Sequence, residues 1–299
     1  MSNWLKSRLK RRLREIVDGF VLAPMHEKQK QSFGSQGVQK LLGESYSTLH
    51  GCVSFDDVGF GVYSEFGEDG MLLYLFSILG HGNRKVVEIG CGNGSQNNSA
   101  NLIVNHYWNG VLFDADSKNC RAAERFFHQA PSTKLLPPRI VNQFVNPDNV
   151  NKLLENEGGL AKGEIDLLSL DIDSIDLWVL EAITIVRPRV IVLEINSRWG
   201  PGESMTVPKD GKGAPAYVEG YGMLFAGASL DAFVKLLKPK GYRLVGANHV
   251  STNTFFVREE LCDERLPAVS IESVLMKDRA VSIRSKCREK MKDYPWISY

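Results

Sequence analysis

The 299-residue sequence predicts an α/β domain with a seven-stranded, mostly parallel sheet, one antiparallel strand and helices on both faces. Three observations carry that expectation. Short runs rich in Val, Ile and Leu, at 85–89, 110–113, 139–144, 165–170, 190–195 and 242–245, alternate with stretches of helical spacing such as Ile175, Val179, Ala182, Ile183 and Val186. Continuous apolar runs separated by helices are what parallel strands covered on both faces require. The first run empties into a Gly-rich turn, EIGCGNG. The last two runs, 242–245 and 254–257, are joined by GANHVSTN, which is too short for a crossover helix, so these strands pair antiparallel.

Composition narrows the class. A chain of this length with 43% hydrophobic residues buries one core and leaves extensions at both ends. Lys plus Arg number 36 against 35 Asp plus Glu, so no overall field draws nucleic acid, and none is expected as substrate. Cys52, Cys91, Cys120, Cys262 and Cys287 are odd in number and lack CxxC spacing, which argues for a reducing compartment without a disulfide framework or zinc site. No apolar run approaches the roughly 18 residues of a membrane span, and no apolar signal region opens the chain. The expected location is cytoplasmic, soluble or peripheral at the inner membrane surface.

The elements follow in order. Residues 1–22 place Trp4, Leu5, Leu9, Leu13, Ile16, Val17 and Phe20 at helical spacing, with Lys6, Arg8, Lys10, Arg11, Arg12 and Arg14 on the other face. Against Glu15 and Asp18 these give a charge of +4, suited to docking on the domain, on a second subunit, or loosely through residues 1–20 on an anionic membrane. Residues 23–62 are expected to be irregular, with one short helix near 38–42. The main domain spans 63–260. It opens with EFGEDG before MLLYLFSIL, an acid-led helix start placed on the sheet edge. A Gly- and Pro-bearing insertion occupies 197–227, and residues 261–299 form a helical tail.

Chemistry concentrates at the ends of the strand runs. Glu88, Gly90, Gly92 and Gly94 stand in the turn after the first run, where glycines permit a tight bend and close ligand approach. Twenty-four residues beyond Gly90, the second run ends in Asp114 (FDAD), placed to accept the hydroxyls of a ribose. The spacing GxGxG, with an acid two places before the first glycine, favours S-adenosylmethionine (SAM) over NAD. A mostly parallel sheet ending in an antiparallel hairpin is also the usual arrangement of SAM-dependent methyltransferases.

On EIGCGNG, FDAD, IDLLSLDID and VIVLEIN, over roughly residues 60–260, the chain resembles the FkbM-type SAM-dependent methyltransferases. The resemblance implies a Rossmann-like class I methyltransferase fold. It implies that Glu88, Gly90, Gly92 and Gly94 hold the methionine part of SAM, and that Asp114, with Ala115, holds its ribose. The adenine is expected near Asn142 and Phe144, where the usual acidic residue is missing. After the fourth strand the family pattern has Glu-Gly, whereas this chain has Asp173 and Ser174. Relatives commonly methylate hydroxyls of natural products or glycans, so O-methylation of a sugar, glycan or natural product is the expected reaction.

The fourth run delivers Asp171, Asp173 and Asp176 to the carboxyl edge, and the fifth delivers Glu194 and Asn196. Asp171, Glu194 and Asn196 form a hard-donor set for Mg²⁺ or Mn²⁺, as in the catechol type of O-methyltransferase. The alternative places Asp176 in the first turn of a helix capped by Ser174, with Asp171 on the SAM ammonium. Asp171, Asp173 and His249 are the candidate catalytic bases. The insertion reads as a lid over the acceptor, with Arg198, Trp199, Glu203, Ser204, Tyr217 and Tyr221 as contacts; a homo-oligomer is compatible with all of this. Two other classes stay open: an NAD-dependent Rossmann oxidoreductase, and a SAM-fold binding or assembly protein without catalysis.

Overall fold

The computed structural model describes residues 34–299. Helices α1 (Gln36–Ser47), α2 (Phe55–Val58) and α3 (Glu68–Leu79) precede the sheet. The chain then runs through β1 (Lys85–Ile89), α4 (Ala100–His106), β2 (Asn109–Asp114), α5 (Ser117–Gln129), β3 (Arg139–Asn142), α6 (Val150–Asn156), β4 (Gly163–Leu170), α7 (Asp176–Ala182) and β5 (Val186–Glu194). Short strands β6 (Met205–Thr206), β7 (Ala216–Val218) and β8 (Gly222–Phe225) follow, then α8 (Leu230–Leu237), β9 (Tyr242–Ala247) and β10 (Asn253–Arg258). The chain ends with α9 (Ile271–Leu275), α10 (Asp278–Met291) and β11 (Ile297–Ser298).

Seven strands form one sheet in the order β3-β2-β1-β4-β5-β10-β9, with β10 antiparallel to both of its neighbours. This is the Rossmann-like class I methyltransferase topology that the runs and the closing hairpin predict. Alternation along the strands feeds two apolar layers. Val86, Leu112, Leu167 and Val192 pack with Leu72, Leu75, Ile103 and Phe127 of α3, α4 and α5. Val87, Phe113, Leu168 and Ile191 pack with Leu154, Leu180 and Phe233 of α6, α7 and α8. Burying each such side chain contributes about 1.5–3 kcal/mol, which is why the period-2 register cannot slip.

Several expectations need correction. Helix α3 lies on the sheet face rather than its edge, because its sequence is apolar nearly all round and needs cover on every side. The segment expected to be irregular holds α1, twelve residues long, pinned by paired amides between Gln39 and Asn101 at 3.0 and 2.9 Å. The insertion 197–227 contains β6 and the β7–β8 hairpin, and the tail 261–299 packs onto it rather than trailing away. The basic amphipathic segment at 1–22 lies outside the described residues. All five cysteines are free, and no described helix is long and apolar enough to cross a membrane.

Candidate active site

The strand order reverses between β1 and β4, and ligands of open α/β sheets bind at the carboxyl edge of such a point. There the N–H groups of Gly90 and Cys91 both donate to the carbonyl of Phe113, at 2.8 and 3.0 Å, so the chain leaving β1 bends across the end of β2. Gly90 has φ +93°, and a Cβ on it would lie 1.6 Å from the Asp171 carbonyl oxygen. Glycine alone lets β1 and β4 come this close. Gly92, at φ +55°, has nothing within 4 Å of the Cβ position, so the space above it is open.

A cavity of about 390 Å³ occupies that space, lined by Gly90, Gly92, Asp114, Ala115, Phe144, Asp171 and Asp173, among others. Asp114 Oδ2 accepts from the Gly92 N–H at 2.9 Å, while Oδ1 accepts from the Asp116 N–H at 2.8 Å and from Asn119 Nδ2 at 3.3 Å. A carboxylate has about four acceptor positions, so capacity remains for a ligand. Phe144 presents a largely exposed ring at the rim. A wider depression of about 570 Å³ lies beside α8, lined by Asp231, Lys235 and Lys238, far in sequence and topology from the glycine bend. The smaller cavity is the one that the fold places at the ligand edge.

Three expected cofactor residues act elsewhere. Glu88 is buried, and its carboxylate accepts the N–H groups of Asn98 (3.0 Å) and Ser99 (3.2 Å) and the Ser99 hydroxyl. Burial pushes its carboxyl up, and those hydrogen bonds draw it back. Glu88 therefore braces the loop instead of facing the cavity. A Cβ on Gly94 would lie 2.9 Å from Ala123, so this glycine serves the packing of the loop on α5. Asn142 turns its amide back onto the carbonyls of Asp114 and Ala115, both at 3.0 Å. In their place Asn119, Gln143 and Ile172 line the cavity. No spacing rule marks these residues; only their adjacency to the strand ends could have found them.

Beyond Asp114 the cavity meets a cluster of acids. Oxygens of Asp171, Asp173 and Glu194 all lie within 4.8 Å of one another. Burial pushes all three carboxyls up; repulsion among them adds to this at Glu194, while hydrogen bonding to Glu194 draws Asp171 and Asp173 back. Asp173 takes the left-handed conformation, φ +56°, where the chain leaves β4. Asn196 is engaged at both ends of its amide: its Oδ1 accepts the Arg198 N–H at 3.2 Å, and its Nδ2 donates to the Ala226 carbonyl at 2.9 Å. Asp173 supplies the third carboxylate of the cluster. Asp176 sits in the first turn of α7 and accepts from the N–H groups of Ile172 (2.8 Å) and Ser174 (2.9 Å). Burial pushes it to about 6. Ser174 does not cap the helix; Ile175 occupies that position.

The insertion holds one residue at the cluster, Arg198, whose charge draws the Asp173 carboxyl downward and whose Nη2 donates to the Tyr221 carbonyl at 3.0 Å. Of the other expected acceptor contacts, all but Tyr217 belong to a clamp made with the tail. Trp199 is buried edge-on against Trp296, with the Arg288 guanidinium 5.2 Å from its ring centre. Glu203 pairs with Arg288, one of its hydrogen bonds at 2.9 Å. The Ser204 hydroxyl donates to the Tyr299 carbonyl at 2.9 Å. Tyr221 packs in the same apolar group, under Lys286, and Tyr217 is exposed. His249 is exposed, edge-on to Phe66 at 6.0 Å, and does not line the cavity, so its sequence position before the last strand misled.

No family model and no curated protein matches the sequence. Solved structures similar in shape include a magnesium protoporphyrin IX methyltransferase from Synechocystis PCC 6803 with bound SAM: 14% identity, 64% of this chain, 77% of that one and a TM-score of 0.40. A SAM-dependent methyltransferase from Clostridium acetobutylicum ATCC 824 shows 13% identity over 64% and 90% of the two chains, with a TM-score of 0.40. An O-methyltransferase from Bacillus cereus in complex with S-adenosylhomocysteine (SAH) shows 18% identity over 60% and 71%, with a TM-score of 0.33. At these identities and scores the assignment rests on the strand order itself, which is that of the SAM-dependent methyltransferase fold.

Proposed function

We propose that this chain is a SAM-dependent O-methyltransferase, of the FkbM type or a close relative, acting on a hydroxyl of a sugar, glycan or natural product. The observation that carries the reading is the single cavity in which the open bend at Gly92 and the Asp114 carboxylate meet, with the acid cluster on its far side. The residues fit the cofactor: Gly90 and Gly92 leave room for backbone approach, Asp114 has acceptor capacity for ribose hydroxyls, and Phe144 offers a ring face for adenine. SAM supplies a methyl group already activated on a sulfonium. What the protein adds is alignment, worth about 7–11 kcal/mol for a well-oriented pair.

The acceptor hydroxyl must lose a proton as the methyl group arrives. Burial raises the carboxyls of Asp171, Asp173 and Glu194, and a raised carboxyl is a stronger base once ionised, which suits the three to general-base work worth about 10²–10⁴ in rate. Asp171, Asp173 and Glu194 also form a hard oxygen set that would hold Mg²⁺ or Mn²⁺ and lower the pKa of a bound hydroxyl. Arg198 partly balances the cluster's charge. A cytoplasmic location accords with five free thiols.

The test is SAH release from labelled SAM with a panel of hydroxylated sugars and glycans. Acceptor-dependent release, stopped by chelator and restored by Mg²⁺ or Mn²⁺, is expected. Turnover unchanged in chelator removes the cation, and release only with amine or thiol acceptors overturns O-methylation.

A further inference from the structure

Glu194 has a neighbour whose chemistry the acid cluster lacks. Asn253 opens β10 and is the cross-strand partner of Glu194. The Ile195 N–H donates to the Thr252 carbonyl at 2.7 Å, which makes 195 and 252 a hydrogen-bonded pair. Glu194 and Asn253 are therefore the next, non-hydrogen-bonded pair, the kind in which Cα atoms come to about 4.5 Å and side chains lie closest. Val192 and Phe255, two residues back along β5 and two residues on along β10, pack with α3 in one apolar group. By the strand period of two, Glu194 and Asn253 project onto that same face.

The Asn253 amide is held at one end only. Its Nδ2 donates to Glu68 Oε1 at 2.7 Å, and the same oxygen takes the Asn248 Nδ2 at 2.8 Å. Glu68 is buried in the first turn of α3, and its Oε2 accepts the Phe66 N–H at 2.8 Å. Asn248 follows β9, and its N–H donates to the Asn253 carbonyl at 2.9 Å, so Glu68 stands over the gap between β9 and β10. A planar amide with its nitrogen turned to that side turns its oxygen to the other, where β5 and Glu194 lie. Asn253 Oδ1 is buried and has no hydrogen-bond partner among the described residues. A buried acceptor left unpaired is costly, and most such groups in folded proteins find a partner. The ionised carboxylates of Asp171, Asp173 and Glu194 only accept, so they do not satisfy it. Positive charge satisfies all four oxygens at once.

We propose that Asn253 Oδ1 is the fourth protein ligand of a divalent cation held at Asp171, Asp173 and Glu194. The proposal deepens the cation reading of the acid cluster and rests on it. Asn253 supplies the neutral amide oxygen that the sequence pattern assigns to Asn196, whose amide is engaged at both ends. Mg²⁺ and Mn²⁺ take hard oxygens from carboxylates and carbonyls alike, and a neutral donor adds a bond without adding to the repulsion among three carboxylates. The hydrogen bond from Nδ2 to Glu68 orients the amide from outside the site, and ligation through Oδ1 leaves that bond intact.

The experiment is titration of the full chain with Mn²⁺, read by loss of the free-ion electron paramagnetic resonance signal, with SAH calorimetry run alongside. One Mn²⁺ per chain, displaced by Mg²⁺, is expected. Asn253→Ala should weaken Mn²⁺ binding by at least about tenfold, since even outer partners of a bound metal contribute about 10- to 100-fold. The variant should bind SAH as the parent does, because Asn253 does not line the glycine-bend cavity. Crystals soaked in Mn²⁺ give a check that needs no variant: an anomalous peak within about 2.5 Å of Asn253 Oδ1 is expected. No Mn²⁺ binding by the parent overturns the cation reading and this ligand with it. Equal Mn²⁺ binding by Asn253→Ala, or a peak on the carboxylates with the amide turned away, overturns the ligand alone. Asn253-dependent Mn²⁺ binding without any SAH binding upholds the site and sinks the methyl-transfer reading instead.

Discussion

The N–H of Gly92 donates to Oδ2 of Asp114 at 2.9 Å, so the glycine bend after β1 and the acid at the end of β2 form one unit. Asp114→Ala removes both the ribose acceptor and the brace on the bend. Charge-assisted hydrogen bonds contribute about 1.5–3 kcal/mol, so SAH affinity should fall by roughly ten- to a hundredfold, read by calorimetry. Asp114→Asn should keep more of the brace than of the affinity.

Two glycines of the same loop should separate binding from stability. Gly92→Ala puts a methyl group into open space at φ +55°, costing about 1 kcal/mol of stability but crowding the ligand. Gly94→Ala drives a methyl group to 2.9 Å from Ala123, and overpacking of this kind costs about 1–3 kcal/mol. Urea unfolding should rank Gly94→Ala as the less stable, and SAH titration should rank Gly92→Ala as the weaker binder.

The acid cluster makes stability depend on pH. Glu194 has its pKa raised in the fold, so the folded state holds its proton more tightly than the unfolded chain does. That stabilisation is present below the ordinary carboxylate value of about 4 and is lost as pH rises through the raised value. Glu194→Gln should therefore match the parent near pH 4 and exceed it near pH 8, by roughly 1–3 kcal/mol. Parallel melting curves across that range would contradict the crowding.

The tail clamp should stiffen the insertion without touching the cofactor side. Trp296→Ala strips the edge contacts to Trp199 and Phe225, at a cost of about 2 kcal/mol. Limited proteolysis should then cut faster within 208–215, while SAH affinity stays unchanged.

Much of this architecture is legible in sequence because strands buried on both faces must be mostly apolar, as in 190–193 and, apart from Asp166 and Ser169, in 165–170. The glycine bend is legible for a similar reason: no residue with a Cβ accepts φ +93° with a carbonyl oxygen at the Cβ position. What stayed hidden were roles decided by direction. Glu88 looks the same in sequence whether it faces a ligand or the N–H groups of Asn98 and Ser99. Asn196 and Asp173 are both plausible oxygen donors, and sequence does not show that the Asn196 oxygen accepts the Arg198 N–H. Glu203 looks like an acceptor contact in sequence because its partner, Arg288, lies 85 residues away in a helix whose charged sequence gives no sign of docking. Local pattern records burial and backbone demand well, and long-range pairing poorly.

The central claim is that the cavity between Gly92 and Asp114 takes a nucleoside sulfonium, and calorimetry of the folded chain tests it most directly. Titration with SAM and with SAH should each give saturable heat at one site, weakened in Asp114→Ala, and NAD should give none. Heat with NAD alone, or none with either SAM or SAH, would contradict it.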